Sequence, residues 1–166
     1  MKSFIYVCAV CFALPVAADV RVDFIEGAPK DRFVITNIGE CAVNEALITI
    51  DMANSAGRNV FDVTGEGAGV EVFQPLDIVS GGDVLTTIPA VQDGDTAITL
   101  SVRTLITKGE VAFTIDVDDT GGGREITVSG AEMAGAVARV ATGDVASTGV
   151  FDAGAGAIVQ MPDCAS

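Results

Sequence analysis

The chain is 166 residues long and carries 23 Asp and Glu against nine Lys and Arg, a formal charge of −14, with no histidine and no tryptophan. Without histidine there is no Ser-His-Asp or Cys-His catalysis and no zinc site of the HExxH type. A charge this negative disfavours nucleic acid, whose phosphates ask for Lys and Arg, and equally an anionic membrane surface.

The first residues, MKSFIYVCAVCFALPVAADV, place Lys2 before an apolar run from Phe4 to Leu14, with Val16 and Ala18 in the −3 and −1 positions. This is the pattern of a secretory signal peptide, residues 1–18, cleaved after Ala18. The run is short of the roughly 20 apolar residues that cross a bilayer, so no membrane span is expected in the mature protein. The protein is therefore expected to be exported, to the periplasm or to the cell surface and exterior. Cys8 and Cys11 leave with the leader, and eight bases then face 23 acids, a charge of −15. Such a surface suits a salty exterior, where screening weakens self-repulsion and divalent cations are available.

Residues 19–166 are expected to form one domain. Val20, Val22 and Phe24 alternate with polar residues in VRVDFIE, and Ile48, Ile50 and Met52 do so in LITIDM. The same period recurs at Val70 and Val72, at Ile98, Leu100 and Val102, and at Val111, Phe113, Ile115 and Val117. Between these runs stand the turn-forming groups EGAPKD, NIGE, NSAG, SGGD, QDGD, TKGE and DDTGGG. Period-two strands separated by Gly, Asn and Asp turns predict an all-β fold, an antiparallel β-sandwich of Ig-like or jelly-roll-like kind. AEMAGAVARVA, residues 131–141, is alanine-rich enough for a helix, but Gly130 and Gly135 weaken it and a strand from Ala136 to Ala141 fits the surroundings better. Two closing strands are expected in residues 142–161, with Phe151, Ile158 and Val159 as core contacts. The mature chain has neither Tyr nor Trp, and so lacks the aromatic belts of an outer-membrane barrel.

Cys41 and Cys164 remain in an exported chain, which predicts one disulfide tying the C-terminus to an early loop. For so long a loop the chain-entropy model gives about 4–5 kcal/mol. Two cysteines and no histidine cannot build a Cys-rich metal site. The glycine runs at 65–69 and 121–123 lack the lysine and following helix of a phosphate loop and are expected to be turns. A carboxylate pair could serve a glycosidase, but sugar sites usually stack the ring on an aromatic face, and six phenylalanines are the whole aromatic content of the mature chain. No catalytic residues are expected, and the protein is read as a non-enzyme.

The stretch FTIDVDDTGGG carries the remaining chemistry. On a strand Asp116 and Asp118 share a face, and Asp119 begins the turn, so carboxylates could converge on Ca²⁺, which takes six to eight oxygens. The twelve-residue EF-hand spacing is missing, so other ligands would have to complete the site. Glu132 follows the next strand, and Glu26 and Asp31 flank the GAPK turn. These six acids are the candidate Ca²⁺ ligands, and Ca²⁺ is the one cofactor expected.

The segments VDFIEGAPKDRFVITNIGEC, FDVTGEGAGVEVFQP and FTIDVDDTGGGREITVSGAEMAGA together resemble a group of small exported alphaproteobacterial proteins labelled "aggregation factor core" protein. The likeness covers nearly all of the mature chain. It implies an extracellular, Ca²⁺-linked adhesion role and carries no catalytic residues. The expected function is thus an exported binding or adhesion protein, possessing Ca²⁺ dependence, with a protein or cell-surface partner. The alternative is a periplasmic accessory or structural subunit that a larger protein recognises through a strand edge.

Overall fold

Period-two alternation turns one face of each strand inward. In the computed structural model, which describes residues 18–64, 74–121 and 127–162, that geometry organises the described residues. The first two strands, β1 (Val20–Ile25) and β2 (Asp31–Asn37), form a hairpin. They are followed by β3 (Val43–Asp51), the short β4 (Val60–Phe61) and β5 (Asp77–Ser80). A 3-10 turn, Gly82–Val84, leads into β6 (Leu85–Thr87), then β7 (Ala97–Leu105), β8 (Glu110–Ile115) and β9 (Val117–Asp118). The chain closes with β10 (Val137–Thr142), β11 (Val145–Val150) and β12 (Gly156–Val159).

Two five-stranded antiparallel sheets result, in the orders β12-β1-β2-β8-β5 and β11-β10-β3-β7-β6, with a two-stranded β4-β9 ribbon at one end. They pack face to face as the expected β-sandwich. The first sheet buries Val22, Phe24, Phe33, Ile35, Val111 and Phe113; the second buries Ile48, Ile50, Ile98, Leu100, Ala138 and Val140. Phe33 is the aromatic centre, 5.1 Å from Phe113 in a stacked pair, 5.2 Å from Phe24 and 6.4 Å from Phe61 edge-on. Burying such a side chain contributes about 1.5–3 kcal/mol, and each aromatic pair about 0.5–1.5 kcal/mol more.

Residues 130–135 form turns rather than a helix, and β10 follows from Val137, close to the expected start. Propensity yields here because Val137–Thr142 pairs with β3 on one side and β11 on the other, so a strand satisfies backbone groups that a helix would leave facing both neighbours. The two closing strands stand where they were expected. Residues 65–73, with Val70 and Val72, residues 122–126 and 163–166, and the leader up to residue 17 lie outside the described residues.

The sheet edges differ from one another. On one side β11 lies against β12 so closely that a Cβ at Gly149 would stand 2.3 Å from the Ile158 carbonyl oxygen, which makes glycine necessary there. On the other side β5 and β6 are short, and each breaks register with its neighbour, between Ile78 and Ser80 and between Leu85 and Thr87. Pro75 precedes the first and Pro89 follows the second. Short, irregular, proline-flanked edges are poor templates for an added strand.

Candidate functional site

β2 begins with Asp31 in the same inward phase as Phe33 and Ile35, and the residue is 1% exposed. Its Oδ1 accepts a hydrogen bond from the Gly27 N–H at 2.9 Å, and its Oδ2 one from the Val117 N–H at 3.2 Å. Asp31 therefore clamps the 26–30 turn to the start of β9. Burial is the main force pushing its pKa up, to about 7, with the charges of Asp116 and Asp118 adding and the two N–H donors opposing.

Asp116 lies at the break between β8 and β9, and its carbonyl accepts from the Asp62 N–H at 3.1 Å. Its own pKa is raised to about 6, first by burial and then by Asp118, while the Val117 N–H and Lys30 oppose the rise. Asp118 is part-buried, with an Oδ2 that has no hydrogen-bond partner. Lys30 is the cation facing this group, yet its Nζ donates to the Pro75 carbonyl at 2.6 Å and pairs with Asp77. Asp31 and Asp116 thus share the Val117 N–H, and Asp118 stands near enough for its charge to act on both, while the ammonium of Lys30 is already engaged.

Asp119 and Glu132 form a second, separate pair. Glu132 Oε2 accepts from both the N–H and the hydroxyl of Ser129, each at 2.7 Å, and these two bonds, the hydroxyl first, hold its pKa below the usual range. One of the two reciprocal bonds of a Ser-x-x-Glu capping box is present, from the Ser129 N–H to the Glu132 carboxylate, at a spacing readable in the sequence. The Asp119 carboxyl also hydrogen-bonds to Glu132, which requires one of the two carboxyl groups to carry a proton. Glu26 is exposed on its turn and does not join either group.

The six candidate acids are therefore divided into a triad, a pair and an outlier. Among the described residues no group of three His, Cys, Asp or Glu side chains is spaced to hold a metal ion as they stand. Asp62, 1% exposed and opposite Asp116 where β4 meets β9, was not singled out from the sequence. Its signal was weak, because β4 spans two residues and shows no alternation. Asp31 could have been recognised as buried, since Asp31, Phe33, Ile35 and Asn37 keep one period-two phase.

Asp31 and Asp116 both carry raised pKa values, the feature expected of a carboxylate pair. Both Asp31 oxygens are taken by backbone N–H groups, and neither Asp31 nor Asp116 lines the apolar groove on the open side of the sandwich. At the opposite end Asn37, fully buried, donates to the Cys41 and Leu105 carbonyls at 2.8 and 2.9 Å and accepts from the Gly39 N–H at 3.0 Å. Cys41 is in the disulfide-bonded form, and Cys164, its expected partner, lies outside the described residues.

Among the described residues no helix is long and apolar enough to cross a membrane. Comparison with known protein families, curated proteins and solved structures finds no match to this chain.

Proposed function

We propose that this protein is an exported, non-enzymatic binding protein of the adhesion type, closed by a Cys41–Cys164 disulfide and responsive to Ca²⁺ at one end of its sandwich. The observation that carries the reading is the closeness of Asp31, Asp116 and Asp118, whose charges raise the pKa of Asp31 and Asp116, with Lys30 committed to Asp77 and Pro75. Carboxylates crowded in this way gain from a cation that a solvated acidic surface would not need. Asp116 and Asp118 are the ligands the geometry favours, the first because burial and its neighbour disfavour its bare charge, the second because its buried Oδ2 is unpartnered. With two protein carboxylates and the rest water, the affinity falls in the weak class of extracellular sites, on the order of 10⁻⁴–10⁻³ M. The resemblance to proteins carrying the aggregation-factor label points the same way.

The test is a calorimetric titration of the oxidised protein with Ca²⁺ after chelation, at about 0.5 M salt to suppress loose counterion binding. The expected result is a saturable isotherm of about one ion per chain that raises the melting temperature and is lost in Asp116→Asn and Asp118→Asn. A flat trace in the parent protein would remove Ca²⁺ from the reading and leave an acidic, solvated end. Recognition through a strand edge is less favoured, because the open edges are short, out of register and bounded by proline.

A further inference from the structure

The outer faces of the two sheets treat their charges differently. On the first sheet the arginines are matched within the face, Arg21 to Asp23 at 2.8 Å and Arg32 to Glu110 at 3.7 Å. On the second, the strands β11, β10, β3 and β7 contain four charged residues, Arg139, Asp51, Arg103 and Glu45. Among the described residues none of the four is in an ion pair. Two bases against two acids leave this face neutral, in a mature chain whose formal charge is −15. Register sets exposed Arg139 between Thr148 and Thr49, with Asp51 diagonally beside it on β3. Asp51 is engaged only through Oδ1, which accepts from the Ala53 N–H at 2.9 Å.

The remainder of the face is suited to being covered. Leu47 and Val150 are 49% and 61% exposed, and the partners of Leu47 in its row are Ala141 and Ser101. Hydroxyls bond to one another, Thr49 to Thr99 at 2.8 Å and Thr86 to Ser101 at 2.7 Å, so little hydrogen bonding to water is lost when they are buried. Arg139 differs, because burying it requires an anion. A second copy supplies one: about a two-fold axis running between Arg139 and Asp51, Arg139 of each copy meets Asp51 of the other. Elsewhere two chains of this charge repel, so the neutral face is where they approach at least cost. Four strands about 4.8 Å apart and six residues at about 3.3 Å make a patch roughly 19 by 20 Å. That is below the ~800 Å² per partner of a standard interface, which sets the contact in the weak, concentration-dependent class.

We propose that the outer face of β11-β10-β3-β7 is a self-association surface, through which two copies of this chain pair with Arg139 of each against Asp51 of the other. The inference does not rest on Ca²⁺, and its test is made in chelator, so that failure of either reading leaves the other standing. The test is sedimentation equilibrium of the mature, oxidised protein from about 10 μM to about 1 mM, at about 0.05 M and about 0.5 M salt. The expected result is a monomer–dimer equilibrium that stops at two copies, because a two-fold contact consumes the face. It should tighten at the higher salt, which screens repulsion between the like-charged chains. Arg139→Asp should weaken it about tenfold or more, and Leu47→Ser, which leaves the charge unchanged, about tenfold. Arg21→Asp makes the same charge change on the other sheet and should weaken it far less. Adding Asp51→Arg to Arg139→Asp restores the cross-contact with its signs exchanged and should recover most of the loss. A monomer under every condition, species that grow past two copies, equal losses in Arg21→Asp and Arg139→Asp, unchanged dimerisation in Leu47→Ser, or no recovery in the exchanged variant would each overturn the proposal.

Discussion

Asp31 gives this protein a pH dependence opposite in sign to that of most carboxylate-rich proteins. Its folded pKa, about 7, lies above the unfolded value of 3.8, so between these limits the native state binds the extra proton. Stability therefore falls as pH rises through the window and is regained as pH is lowered. From pH 8 to pH 5 the group passes through about two units below its folded pKa, worth about 2.7 kcal/mol at about 1.4 kcal/mol per unit. Asp116, raised to about 6, adds in the same direction, with a smaller share because it is only part-buried. Glu132, whose pKa is lowered, loses its contribution only as pH falls below its ordinary 4.5, outside the window. At about 2–4 °C per kcal/mol for a domain of this size, the melting temperature should rise by about 5–10 °C between pH 8 and pH 5 in chelator. Thermal melts followed by circular dichroism at four pH values measure it. Asp31→Asn keeps the shape and removes the titration, so its slope should be much flatter, whatever its baseline stability. A parent protein that melts lower at pH 5 than at pH 8, or an Asp31→Asn protein with the parent slope, would refute the reasoning.

At the other end of the sandwich, Asn37→Ala removes three hydrogen bonds and takes this partner from the Cys41 and Leu105 carbonyls, while the Gly39 N–H keeps its bond to the Asp19 carbonyl at 3.1 Å. It should cost about 3–4 kcal/mol, read as a lowered urea midpoint with an unchanged slope. Gly57→Ala places a Cβ 2.1 Å from Asn59 Oδ1 and 2.9 Å from the Glu132 Cβ. Because Asn59 is fully buried and cannot swing away, the substitution should destabilise by about 1–3 kcal/mol, and a melting temperature equal to the parent's would show that the 53–59 loop yields instead.

The candidate site was only partly legible in the sequence. Grouping Asp116 with Asp118 follows from strand periodicity alone, and both do stand beside Asp31. Glu132 looked equivalent to them because its distance along the chain says nothing of what its oxygens meet. In the fold one of those oxygens is committed to Ser129, and Asp119 is drawn to Glu132 rather than to the triad. Glu26 and Asp31 flank the same turn, but Asp31 occupies the inward phase of β2 and Glu26 lies beyond the end of β1 in solvent.

By itself the sequence determined the class of fold, because period-two alternation with turn residues between the runs leaves an apolar face that only a second sheet can cover. It determined as well that the surface is acidic and that histidine chemistry is absent. What only the tertiary structure decided was partnership. That β1 pairs with β12, that β10 becomes a strand between β3 and β11, and that Asp31 reaches the Val117 N–H all depend on contacts between residues far apart in the chain. Such contacts leave no local signal, since the same alternating strand can join either sheet, and the same carboxylate can be solvated or buried according to what the other strands bring to it.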